Sequence, residues 1–166
     1  MNKKISKILV LDPFLGQSHL TFWKNLQLHS AHEITIHPYT QKYWKLSSGL
    51  SSLSTPTNLD SYNLFLVSDY FDIASFKGLN RSVADIPFIC YFHENQFEYP
   101  ISKITKKDEH FALLNLRNYL ASDLNIFNSN WNRKSLLNGV NTFRKRLPST
   151  HRKMFPKSKS IEKEND

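Results

Sequence analysis

Five short runs of β-branched and large apolar residues recur along the chain, and helix-length or long polar stretches separate most neighbouring runs. The runs are Lys7 to Asp12, Glu33 to Tyr39, Tyr62 to Val67, Phe88 to Phe92 and Leu124 to Phe127. Parallel strands need a crossover of a dozen or more residues, whereas a hairpin needs only a tight turn, so the spacing favours parallel pairing. The stretch from His19 to His29 reads as a helix capped by Ser18, with Leu20, Trp23, Leu26 and Leu28 as its apolar contacts. Asp72 to Val83 reads as a weak helix broken by Gly78, and Asp108 to Leu120 as a helix with Asp108 and Glu109 at its positive end. Asn128 or Ser129 is placed to cap a further helix through Leu137, ending near Gly139. Leu46 to Asn58, rich in Ser, Thr and Leu, reads as a loop with one helical turn. Together these elements predict an α/β fold built on a parallel, doubly wound sheet.

A chain of 166 residues with 40% hydrophobic content can bury one sizeable core. No run of 18 or more apolar residues occurs, and the Lys-rich start runs into the first strand without a cleavage pattern, so a soluble protein with no membrane contact and no signal peptide is expected. The one cysteine, Cys90, lies among Phe88, Ile89, Tyr91 and Phe92 and reads as a buried apolar filler, which fits a cytoplasmic location. The net charge of +8 is unevenly placed: Leu124 to Ile161 holds nine Lys or Arg and no acid. The excess therefore sits in the last quarter, where Arg144, Lys145, Arg146, Arg152 and Lys153 could meet nucleic-acid phosphates or simply form a solvated basic tail. The domain reading is a core over residues 1–143 and a basic segment over 144–166 with no clear element.

In open α/β sheets ligands bind beyond the carboxyl ends of the strands. The fourth run delivers His93, Glu94, Asn95 and Gln96 to that edge, and this cluster is the first site candidate. His93 admits three readings, as a general base or hydrogen-bonding group, a zinc ligand, or a structural histidine. The second is disfavoured, because His-Glu-x-x-His is absent and no cysteine pair exists, so no metal is expected. The loop Pro13 to His19 joins a strand to a helix start, where backbone amides can bind an anion. It holds only Gly16 and so lacks the Gly-x-Gly-x-x-Gly pattern of dinucleotide sites. Asn128 and Ser129 form a polar rim on the same edge, or serve only as caps.

Tyr91-Phe92-His93-Glu94-Asn95-Gln96 followed by Tyr99-Pro100, the Phe14-x-Gly16-x-Ser18-His19 loop, and Phe127-Asn128-Ser129 before a helix together resemble the N-terminal half of the tRNA-queuosine α-mannosyltransferase family. The resemblance runs from about Ile8 to Ile161, with the Phe-His-Glu-Asn-Gln block its most specific part. It implies a Rossmann-like sheet as the N-terminal domain of a GT-B glycosyltransferase, with 144–166 as the start of an interdomain link. It further implies retaining transfer of mannose from GDP-mannose, the donor substrate, to queuosine in a tRNA for aspartate, with no other cofactor. Carried over, His93 and Glu94 are the catalytic candidates. Gly16, Ser18, His19, Asn95, Gln96, Asn128 and Ser129 are the substrate-binding ones.

Two departures from the family pattern bear on activity. The first loop has Gln17 where the family has a second glycine, so a side chain stands near the expected phosphate position. The family also continues into a nucleotide-sugar domain, whereas this sequence ends six residues after Ser160. The chain is accordingly expected to be inactive alone, with a separately encoded C-terminal domain as one partner and tRNA as the acceptor. The alternative is a non-catalytic RNA-binding module on the same core. A helix-turn-helix DNA binder over 129–146 is weaker, since that stretch has one convincing helix.

Overall fold

The computed structural model describes residues 5–97 and 109–157. Strands β1 (Lys7–Leu11), β2 (Glu33–Ile36), β3 (Leu64–Ser68), β4 (Phe88–Phe92) and β5 (Leu124–Phe127) alternate with helices. Between them lie α1 (Gln17–His29), α2 (Trp44–Leu50), α3 (Ile73–Leu79) and α4 (Glu109–Ala121), followed by α5 (Asn130–Arg146) and α6 (Ser149–Met154). All strand pairs are parallel in the order β2-β1-β3-β4-β5. The result is the Rossmann-like α/β fold that the alternation predicts. The chain steps outward from β1 to β2, then returns to the other side of β1 to add β3, β4 and β5. Between β1 and β3 the loops therefore diverge to opposite faces and leave a crevice.

Parallel strands with helices on both faces are apolar throughout, and β4 (Phe-Ile-Cys-Tyr-Phe) is a clear case. One face carries Leu9, Leu11, Phe65, Val67, Phe88, Cys90 and Phe92 into a core closed by residues of α3, α4 and α5. Cys90 is fully buried there, as its neighbours predict. On the other face α1 lays Trp23 over Ile8, Val10, Ile34 and Leu66. Coverage on that face fades towards the edge, where Leu124 and Ile126 of β5 are 50% and 39% exposed.

Several expected boundaries move, each for a packing reason. Helix α1 starts one residue before Ser18, with Gly16 in the capping position and its carbonyl accepting from Leu20 at 2.9 Å. Ser18 is thus an exposed helical residue and not the cap. The stretch read as a loop from Leu46 contains most of α2, because Ser48 is buried and its hydroxyl donates to the Tyr70 carbonyl. Gly78 lies inside α3, which is capped by Asp72 through the Ser75 amide and followed by a 3-10 turn, Arg81–Val83. Helix α5 does not stop near Gly139 but continues to Arg146. A Cβ at Gly139 would stand 2.2 Å from Phe97 Cβ, so this glycine lets a loop approach the helix closely and does not end it. Beyond Phe143, where no element is expected, α5 is completed and α6 follows, with Phe155 resting on Phe143 at 5.5 Å. The Tyr99-Pro100 motif, Asp108 and the chain beyond Lys157 lie outside the described residues.

Candidate functional site

Asp12 is the first residue past β1, Ser68 and Asp69 end β3, and His93 follows β4, so adjacent strand ends deliver all four to one crevice. Helix α1 adds His19 and Trp23 from above the sheet. Asp12 is fully buried, and both of its oxygens are occupied. Oδ2 accepts from Trp23 Nε1 at 2.6 Å and from His19 Nδ1 at 2.8 Å; Oδ1 accepts from Ser68 Oγ at 2.7 Å and the Phe14 amide at 3.0 Å. An indole or backbone N–H can only donate, so both oxygens act as acceptors and His19 holds its proton on Nδ1. The imidazole of His19 is thereby fixed in tautomer and orientation.

His93 stacks on that ring with centroids 3.7 Å apart and an interplanar angle of 20°. Phe22, Trp23 and Tyr91 close around it edge-on. Burial, and secondarily the neighbouring His19, lowers the His93 pKa to about 4, with Asp12 opposing. The ring is therefore neutral near neutral pH. Its Nε2 is buried and has no hydrogen-bond partner among the described residues, and the same holds for Asp69 Oδ2. Asp69 is fully buried, and its pKa is raised well above the carboxylate range by burial, then by Glu94 and Asp12.

Around this pair a polar frame holds the β4 exit loop. The His93 amide donates to Asp69 Oδ1 at 3.2 Å, and Asn128 Nδ2 donates to the His93 carbonyl at 2.5 Å. Asn115 and Asn118 of α4 both donate to the Asp69 carbonyl at 3.0 Å. Glu94 accepts from the Tyr70 hydroxyl, and Gln96 Nε2 reaches the same hydroxyl at 2.9 Å and Glu94 Oε1 at 3.3 Å.

Asp12, His19 and His93 offer ligand atoms within 4.8 Å of one another, a spacing compatible with a metal ion. Yet both Asp12 oxygens and His19 Nδ1 are already bonded within the protein, and stacked rings do not converge their in-plane nitrogens on one point. The geometry favours a hydrogen-bonding cluster over a metal centre.

The sequence candidates separate into groups. His93, Glu94, Gln96 and His19 come together. Asn95, expected in the pocket, is instead turned into the interior, where its amide ties the loop to Asn132 Oδ1 at 2.8 Å and Ser135 Oγ at 2.7 Å of α5. His19 is 5% exposed and forms the floor of the crevice, not its rim. Gly16 and Ser18, with Phe14, Gln17 and Thr21, line a shallow depression at the start of α1. Gln17 adopts ordinary helical geometry there, and no described residue has a positive φ, so the second glycine of the family pattern is not demanded by the backbone. Asn128 and Ser129 are exposed, and Ser129 caps α5 through the Asn132 amide.

The basic residues have local partners as well. Arg144 donates to the Phe155 carbonyl, Arg152 to the Lys145 and Leu147 carbonyls, and Arg146 meets Glu109 at 3.3 Å, while Lys145 and Lys153 stand exposed. Glu109 opens α4 two residues before Phe111, whose ring lies against Tyr70 and Trp44. The basic end of α5 therefore borders the same edge of the sheet as His93. Sequence reasoning missed Asp12, Ser68, Asp69 and Tyr70. An Asp directly after the first strand, and a Ser-Asp pair after the third, were the available signals, since strand ends flanking a switch point face the crevice.

Comparison with known proteins bears on this site. Residues 7–164 match the family described as tRNA-queuosine alpha-mannosyltransferase N-terminal. A Drosophila melanogaster protein named tRNA-queuosine alpha-mannosyltransferase is 29% identical over 140 residues, a stretch covering 82% of this chain and 37% of that relative. No solved structure matches. Among the described residues no helix is long and apolar enough to cross a membrane.

Proposed function

Because the chain belongs to the tRNA-queuosine alpha-mannosyltransferase N-terminal family, we propose that it supplies the acceptor-side half of a transferase that moves mannose from GDP-mannose to queuosine in a tRNA for aspartate. The observation that carries this reading is the neutral His93 with an unpartnered Nε2 at the switch-point crevice. An orphaned buried nitrogen calls for a partner that none of the described residues provides, and a sugar hydroxyl is a chemically suitable one. The Asp12-His19 pair beneath the ring fixes its position, so the approach of a sugar requires little reorganisation. Glu94, held by Tyr70 and Gln96, is the second group at the cleft and orients the acceptor.

Departure of GDP requires positive charge or dipoles around the diphosphate. The cluster contains the carboxylates of Asp12 and Glu94, a sign unsuited to that task. The start of α1 offers backbone amides, and in this reading the remaining groups come from a region corresponding to the part of the Drosophila relative that this chain does not cover. Turnover in this reading needs that part, whether joined or separately encoded, and the compartment is the cytoplasm. A second reading, RNA binding without chemistry, is favoured by the basic end of α5 and α6 beside the crevice.

A mannosyl-transfer assay with GDP-mannose and queuosine-containing tRNA separates them. Transfer is expected when the chain is combined with a C-terminal donor domain, and His93→Ala is expected to reduce it at least a hundredfold. Unchanged transfer in His93→Ala would remove His93 from the site. RNA binding without transfer in any combination would select the second reading.

A further inference from the structure

Past β2 the chain rises from the same edge of the sheet and folds back as a 3-10 turn, Gln41–Tyr43, followed by α2. Between the strand exit and this helix lies a half-open concavity of about 290 Å³, lined by Pro38, Tyr39, Tyr43, Leu46, Ser47 and Ser54 among others. Its walls are fixed. Ser48 donates to the Tyr70 carbonyl at 2.5 Å, Tyr39 to the Ser51 carbonyl at 3.1 Å, and Ser47 to the Thr40 carbonyl at 2.7 Å. Trp44 anchors α2 inward, with its ring 5.2 Å from both Phe14 and Tyr70, and Phe14 in turn is 5.0 Å from His19. A continuous aromatic path thus joins α2, one wall of this concavity, to the stacked histidines.

Tyr43, next to the anchoring Trp44, faces outward and is 61% exposed. The Lys42 ammonium lies 5.5 Å from its ring centroid, and Lys45 lies 5.5 Å from that of Trp44. From Ile34 to Asn58 there is no Asp or Glu, and of the two lysines there Lys42 lies beside the exposed Tyr43 while Lys45 lies on the inward side over Trp44 and Phe111. An exposed aromatic ring beside hydroxyl groups and flanked by the Lys42 ammonium has the chemistry that stacks a nucleobase and receives a phosphate. The volume is at the small end of ligand-sized cavities and suits one base swung out of any pairing.

We infer that the concavity between the β2 exit and α2 is a subsite for one unpaired nucleotide of an RNA acceptor, with the base on Tyr43 and a flanking phosphate against Lys42. This rests on the RNA-directed reading above and adds where the strand is gripped.

The test is equilibrium binding of the full chain to a short single-stranded RNA, a duplex of equal length and a transcribed aspartate tRNA, across a salt series. Tyr43→Ala should weaken single-strand and tRNA binding about tenfold, with duplex binding unchanged, and Tyr43→Phe should retain affinity within about twofold. Lys42→Gln should lower the slope of log affinity against log salt by about 0.7 for the single strand. Equal affinities for Tyr43→Ala and the parent chain, equal losses on single strand and duplex, or no RNA binding at low salt would each overturn the subsite. Transfer assays keep the two readings apart. Transfer that persists while Tyr43→Ala leaves RNA affinity unchanged overturns the subsite alone. Tyr43-dependent binding with no transfer beside any donor domain supports the subsite and overturns the transferase.

Discussion

Asp12 and Asp69 are both fully buried at the ends of neighbouring strands, β1 and β3, and the protein treats them in opposite ways. Asp12 is surrounded by four donors from Phe14, His19, Trp23 and Ser68. Asp69 receives the His93 amide on Oδ1, has no partner for Oδ2 among the described residues, and has its pKa pushed well up by burial and by two neighbouring acids. Depth in the core is the same for both. What differs is the supply of N–H and O–H groups, which makes one carboxyl a structural hub and holds the pKa of the other well up.

Removing the hub is the most damaging way to test this contrast. Asp12→Ala strands the Trp23 indole, the Ser68 hydroxyl and the His19 imidazole in the interior, and at about 1–3 kcal/mol for each orphaned group the loss should be about 3 kcal/mol or more. Denaturant unfolding measures it, and a loss below about 1 kcal/mol would show that the four donors find other partners. Next in size is the response of His93 to acid. The unfolded imidazole takes up a proton below its ordinary 6.5, whereas the folded one resists until about 4. Stability present above pH 6.5 is therefore lost as pH falls from 6.5 towards 4. Imidazole NMR should find no His93 titration near 6.5; a normal midpoint would break the account of the stacked pair.

Asp69→Asn should act in the other direction. Above the ordinary carboxylate range the folded chain keeps a proton that the unfolded chain has released, so stability falls as pH rises through that window. The amide removes this fall, and unfolding curves for Asp69→Asn should be flatter with pH than those of the parent and no less stable at neutral pH. A marked loss of stability in that variant would mean that Asp69 is ionised and paired after all. The smallest effect is expected from Asn128→Ala. This exposed side chain holds the His93 carbonyl, so its loss should cost about 0.5–1.5 kcal/mol and lower transfer more than it lowers RNA affinity.

The parts of the site that could be read from the sequence are those where one short segment carries both geometry and chemistry. The apolar run of β4 followed at once by His93, Glu94 and Gln96 is such a segment, and it lies where the alternation of strands and helices predicts. Ser129 as a helix cap was equally legible, because capping is a contact over three residues. Asn95 misled because its neighbours in sequence face the crevice while its own amide is consumed by Asn132 and Ser135, 37 and 40 residues further on. Gly139 misled because the usual helix-ending role of glycine was overridden by Phe97 pressing on it from another loop. Helix α2 was hidden in a polar stretch because its packing partners, Phe14, Tyr70 and Phe111, lie in three different segments.

The amino-acid sequence alone determined the parallel α/β sheet, its five strands and the placing of His93 at a strand end, since strand and helix periodicities and crossover lengths are local properties. Only the tertiary structure decided which buried groups are satisfied among the described residues: Asp12 by four donors, His93 by a stacked partner with no hydrogen bond at Nε2, Asp69 by the His93 amide on Oδ1 with none on Oδ2. Hydrogen bonding in a water-poor interior depends on atoms brought together from residues as far apart as Asp12 and Ser68, and no local pattern encodes that meeting.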